Sequence, residues 1–141
     1  MEIKRITYAD DGVVKALKRM LPQLTGREEN PTMGELEEIL ANEMTHMFVA
    51  VDGDEIVGSL TLALYRIPTS LKGIIEDVVV DESARGRGVA SKLMQRAIDT
   101  ARENGVSKIE LTSRPTRIAA NKMYRKFGFE VRDTNFYRLD L

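Results

Sequence analysis

Ile74-Ile75-Glu76-Asp77-Val78-Val79-Val80-Asp81-Glu82-Ser83-Ala84-Arg85-Gly86-Arg87-Gly88-Val89-Ala90 reads as a buried strand, a short polar turn, a glycine-and-arginine loop and the start of an amphipathic helix. Val89, Leu93, Ala97 and Ala101 recur along that helix, with Met94 and Ile98 beside them. The spacing gives one apolar face with a period near 3.6. A helix start carries backbone N–H groups without intrahelical acceptors and the positive end of the helix dipole, so it attracts an anion. Gly86 and Gly88 lack the Cβ atoms that would hold a ligand off the backbone, and they are free to take positive φ. Arg85 and Arg87 add charge and forked donors suited to phosphate oxygens. The expectation is a diphosphate site on the backbone amides at the start of this helix.

Upstream, Met1 to Thr7 alternates like a first strand. Asp10 or Asp11 is placed to cap a helix running to about Leu21, with Pro22 marking its exit. Thr32-Met33-Gly34-Glu35 has capping-box spacing and predicts a second helix over Met33 to Glu43. Met47 to Val51 and Glu55 to Tyr65, joined by Asp52-Gly53-Asp54, form a hairpin. An exposed loop, Ile67 to Ser70, leads to the central strand at about Lys72 to Val80. The central helix runs to about Glu103 and ends at Asn104-Gly105. Lys108 to Thr112 is a further strand, and Thr116 is placed to cap a helix reaching Phe127. Phe129 to Arg132 and Phe136 to Leu139 are expected to close the fold as an antiparallel pair.

The resulting order, β-α-α-β-β-β-α-β-α-β-β, describes an α/β domain over residues 1–141 with a mixed sheet of about seven strands and about four helices. The Lys108–Thr112 strand follows the central strand through a helix, so the two are expected to be parallel neighbours. Ligands in such sheets bind outside the carboxyl ends of the strands, which is where the Arg85–Ala90 loop falls.

Composition bounds the chemistry. A formal net charge of −1 calls for neither nucleic acid nor an anionic membrane as partner. No apolar run approaches the roughly 20 residues that span a bilayer. The N-terminus lacks a signal-peptide core, so a cytoplasmic protein is the default expectation. The absence of cysteine removes disulfides, a thiolate nucleophile and sulfur ligands for zinc. His46 stands alone, so no multi-histidine metal site can form, and it reads as a strand-edge residue rather than a triad member. No metal is expected. Catalysis falls to carboxylates, tyrosine, backbone donors and a bound co-substrate.

Other phosphate-binding patterns fit the loop less well. Gly-x4-Gly-Lys-Ser/Thr is absent, and the dinucleotide pattern Gly-x-Gly-x-x-Gly fails because Ser91 occupies the third glycine position. Arg85-Gly86-Arg87-Gly88-Val89-Ala90 instead fits Gln/Arg-x-x-Gly-x-Gly/Ala, and Asn121-x-x-Tyr124-x-x-x-Gly128-Phe129 follows downstream. On these two motifs and the full element order the chain resembles the GCN5-related N-acetyltransferases. The resemblance implies acetyl-CoA as donor, its diphosphate on the Arg85–Ala90 loop and its pantetheine arm laid like an extra strand along the central strand at Val78, Val79 and Val80. It also implies a β-bulge there that splays the central strands, a contact from Asn121 to the cofactor arm, Tyr124 as the acid that protonates the departing thiolate, and a homodimer. A tyrosine suits that role because its pKa near 10 lies above that of a thiol. Lys92, Lys122, Arg125 and Lys126 are candidate partners for the outer phosphates, and solvated helix charges otherwise.

The attacking amine arrives as ammonium and must lose a proton before it reaches a thioester. Glu76 is the leading base, with Asp77 as the other candidate. On a strand alternate residues share a face, so Glu76 lies with Ile74 and Val78 while Asp77 points the other way. The stretch Ile75–Val80 is similar to the corresponding strand of glucosamine-6-phosphate N-acetyltransferases. A pairing of Glu76 with Lys72 or an arginine would be the purely structural alternative. The acceptor is expected to be a small amine, amino acid or amino sugar, with a peptide or protein amine as alternative, and a CoA-binding module without turnover as the other class. Arg114 and Arg117 could meet an anionic group on the acceptor.

Overall fold

The computed structural model describes residues 1–141. Backbone contacts divide them into two compact units, Met1–Leu111 and Thr112–Leu141. The first holds β1 (Glu2–Arg5), α1 (Asp11–Thr25), α2 (Met33–Ala41), β2 (Thr45–Asp52), β3 (Glu55–Ile67), β4 (Ser70–Val80), a short 3-10 turn (Glu82–Ala84), α3 (Val89–Glu103) and β5 (Lys108–Glu110). The strands lie in sequence order, β1 to β4 antiparallel and β5 parallel to β4.

Local chemistry sets the helix starts. The Asp10 carboxylate accepts from the Val13 N–H at 2.9 Å. Thr32 and Glu35 form the reciprocal capping box, Thr32 Oγ1 accepting from Glu35 N–H and Glu35 Oε1 accepting from Thr32 N–H, both at 3.1 Å. The first helix does not stop at Pro22. It runs on to Thr25, and Pro22 lies inside its last turns. Proline's φ is already helical and its ring costs the helix one hydrogen bond. The Pro22 carbonyl in turn accepts from the Gly26 N–H at 2.9 Å and closes the helix. The second helix ends at Ala41 rather than Glu43, because Asn42 leaves the helical region and its carbonyl accepts from Thr45 N–H.

Each face of the sheet has its own core. Met47 packs with Val13, Val14, Leu17 and Leu36, and Val79 with Ala16 and Met20, so α1 and α2 cover one face. Phe48 lies on the other, fully buried, with the Arg96 guanidinium of α3 5.3 Å from its ring centre. Gly58 of β3 also faces α3: a Cβ built there would lie 2.9 Å from Val89 Cγ1 and 3.1 Å from Leu93 Cδ1. His46 is buried near the start of β2 and stacks on Phe48 with ring centres 6.3 Å apart. Burial and then the nearby Arg5 charge lower its pKa, which favours the neutral imidazole.

The second unit contains α4 (Ile118–Lys126). Thr116 does not cap it; Arg117 is the cap residue, and no side chain bonds to the free amides. The expected closing strands are absent, so the sheet has five strands rather than seven. A strand exists only by pairing, and alternation alone supplies no neighbour. Val131, Phe136, Tyr137 and Leu139 lie exposed on an irregular segment.

Candidate active site

The bulge expected in the central strand is present. Ser59 of β3 pairs with Val79, and Thr61 pairs with Glu76, so Leu60 alone spans Asp77 and Val78. Asp77 absorbs the extra residue at φ +49°, the only non-glycine residue with positive φ in the chain. Aspartate tolerates this region better than most residues.

That insertion corrects the face assignment made from alternation. Met47 and Thr61 are paired, as are Val49 and Ser59, so Glu76 and Val79 share the face that α1 and α2 cover. Glu76 therefore does not lie with Val78; one added residue reverses the parity of everything beyond it. Ile74 remains on the Glu76 side, because it precedes the bulge.

Glu76 and Asp77 are both exposed. Lys72, the structural partner considered for Glu76, pairs instead with Glu110 of β5. Partial desolvation, and then the neighbouring Asp77 charge, raise the Glu76 carboxyl above the ordinary carboxylate range.

β5 pairs with β4 only at Lys72, Gly73 and Ile74. From Ile75 to Val80, β4 has no strand on that side, which leaves its backbone edge open to an extended ligand as far as Val79; the Val80 carbonyl accepts from Arg85 Nε at 3.4 Å. Val79 is buried, and Val78 and Val80 are half-buried.

The open edge leads into the glycine loop. Gly86 and Gly88 both sit at φ +76°, and a Cβ on either would meet nothing within 4 Å. Gly88 is the cap residue of α3, and no side chain caps the helix. The amides of Val89, Ala90 and Ser91 thus open a helix of fifteen residues beneath an unobstructed loop, a cradle that fits a diphosphate.

Several supporting residues went unread in the sequence. Asp81 accepts from Arg19 Nε at 2.9 Å and from Ser83 N–H at 3.0 Å. The Arg19 bond, with the Ser83 amide next, holds the Asp81 carboxyl at about 2. Gln23 Oε1 accepts from the Glu82 N–H at 2.9 Å. Arg87 Nη2 donates to Asp52 Oδ2 at 2.6 Å. The spacing Asp81-x-Ser83 is a local turn signal that could have been found; Asp52 and Arg87 stand 35 residues apart, and no local pattern joins them.

Asn121 and Tyr124 belong to the second unit. The Asn121 side-chain amide donates to the Arg117 carbonyl at 2.8 Å, the Arg114 carbonyl at 2.9 Å and Ser113 Oγ at 3.3 Å, fastening the turn before α4. Tyr124 is buried and meets Phe129 edge-on, with ring centres 6.1 Å apart. Burial raises its pKa, the Arg117 charge opposing, so the phenol is held protonated.

An open half-strand beside a bulge thus runs into a glycine-flanked helix start. The chain belongs to the acetyltransferase (GNAT) family, whose model matches residues 13–129. It is 32% identical over 84 residues to N-alpha-acetyltransferase 30 of Schizosaccharomyces pombe, covering 58% of this chain and 55% of that protein. It is 36% identical over 90 residues to an L-amino acid N-acetyltransferase of Escherichia coli K12, covering 62% and 54%. The chain spans about half the length of these curated relatives. A crystal structure of a transcriptional regulator from Bacillus halodurans C-125 matches over 99% of both chains, with a TM-score of 0.85 at 27% identity.

Proposed function

We propose that this chain moves an acetyl group from acetyl-CoA to the primary amine of a small molecule by direct attack in a ternary complex. The family match crosses the boundary between the two compact units at Leu111. The observation that carries it is the unpaired edge of β4 from Ile75 to Val79, continuous with the uncapped start of α3. Pantetheine would bond to that edge, and the amides of Val89, Ala90 and Ser91, with Arg85 and Arg87, would hold the diphosphate.

Glu76, or Asp77 beside it, takes a proton from the arriving ammonium. The amine nitrogen then attacks the thioester carbonyl carbon, with β4 backbone donors stabilising the oxyanion. The C–S bond breaks, Tyr124 protonates the sulfur, and the second proton of the amide nitrogen passes to solvent, from which the phenolate is reprotonated. An acyl-cysteine route is closed because the chain has no cysteine. For Tyr124 the support is the motif and a phenol kept protonated by burial; Asn121 supports the turn before that helix.

Free-thiol release across a panel of amines, amino acids, amino sugars and peptides tests this reading. Turnover confined to peptides would favour the N-terminal or lysine acetyltransferase alternative, which the Schizosaccharomyces pombe relative's name supports. Binding of acetyl-CoA without turnover on any acceptor would favour a non-catalytic module, the reading supported by the likeness to the Bacillus halodurans transcriptional regulator.

Two variants test the roles. Tyr124→Phe is expected to lower kcat by about 10- to 100-fold with little change in acetyl-CoA affinity, and an unchanged kcat removes Tyr124 from the mechanism. For Glu76 the pH profile decides. A base must be deprotonated, and its pKa is raised, so activity falls with decreasing pH along a limb above the usual glutamate range. Glu76→Gln should abolish that limb and cost about 100-fold in rate. If the limb survives there and vanishes in Asp77→Asn, Asp77 is the base.

A further inference from the structure

Arg87 does not extend freely from the glycine loop. Its Nη2 donates to Asp52 Oδ2 at 2.6 Å, where β2 enters its hairpin turn. The contact uses a single nitrogen of a guanidinium that offers five N–H donors. Both side chains remain open, Arg87 49% and Asp52 41% exposed, so an incoming phosphate can reach the same guanidinium. Hydrogen bonding to Arg87 lowers the Asp52 pKa, so Asp52 is ionised at neutral pH.

We infer that Asp52 competes with the coenzyme's phosphates for Arg87, and that by recapturing Arg87 it promotes release of CoA. The inference rests on the diphosphate reading of the loop. Two effects act in one direction. Binding must first give up the Arg87–Asp52 pair, and the Asp52 carboxylate then stands as a negative charge near an anionic ligand. An exposed pair is weak enough to be exchanged on each cycle, and its loss shifts an equilibrium constant by only a few-fold. Asp52 is thus a positioning residue: it acts through Arg87, not on the reacting atoms.

Calorimetric titration of coenzyme A into the full chain tests this, with dissociation followed by stopped flow. Asp52→Asn keeps the size and shape of a half-exposed side chain on the last residue of β2, so the fold should be retained. We expect the variant to bind CoA about three- to five-fold more tightly, mainly through slower dissociation. Arg87→Gln should weaken binding, and in that background Asp52→Asn should change affinity by less than about two-fold. Unchanged or weakened binding in Asp52→Asn overturns the inference, as does equal tightening with Arg87 removed. Failure of the wild-type chain to bind CoA is a separate outcome that overturns the diphosphate reading itself.

Discussion

Gly88→Val is expected to weaken acetyl-CoA binding by about 100-fold or more while the chain still folds. Gly88 sits at φ +76°, where a β-branched residue is strained, so the backbone would move to relieve it. That movement swings the Val89 and Ala90 amides away from a common centre. Two charge-assisted hydrogen bonds are at stake, each worth about 1.5–3 kcal/mol. The Cβ itself meets nothing in the protein, so packing alone would not resist the change. Its cost falls on the ligand and on local strain of about 1–3 kcal/mol. Isothermal titration beside a thermal melt separates the two. Near-native affinity in a folded variant would show that the loop amides do not hold the diphosphate.

Gly58→Val should lower stability by about 2–4 kcal/mol. Even a bare Cβ at this position would come within 2.9 Å of Val89 Cγ1 and 3.1 Å of Leu93 Cδ1, and 3.4 Å from the Val79 carbonyl. Val89 and Leu93 are themselves buried, so neither side chain has open space to swing into. The helix must lift off the sheet. Because Val89 opens α3, the displacement also reaches the amides beside Gly88. Urea denaturation is the measurement, and Gly58→Ala should show a smaller loss with the same sign. Wild-type stability in the valine variant would mean that α3 does not pack as closely as described.

The parts of the fold readable in advance were those whose cause is local. The apolar stripe Val89–Ala101 is buried along α3, Asp10 caps α1, and Thr32 with Glu35 closes a capping box. The parallel pairing of β4 with β5 followed from the helix between them. What escaped was set by partners distant in sequence. A bulge leaves no mark in composition, so alternation carried Glu76 onto the wrong side relative to Val78. Pro22 looked like a stop, because its position within the last turns of α1 depends on where the helix actually ends. The residues after Phe129 alternate as strands should, yet they make no ladder. The glycine loop was plain from its letters; Asp52, which holds its arginine, was not.

The single residue inserted at Asp77 lets one β-strand serve two masters. Up to Glu76 the chain keeps one phase, and from Val78 onward the opposite one, so Glu76 and Val79 share a face although two residues, Asp77 and Val78, lie between them. An exposed carboxylate and a buried valine therefore share one face of one continuous strand. The exposed side chain at position 76 can thus be exchanged while Val79, three positions on, keeps its packing against Ala16 and Met20.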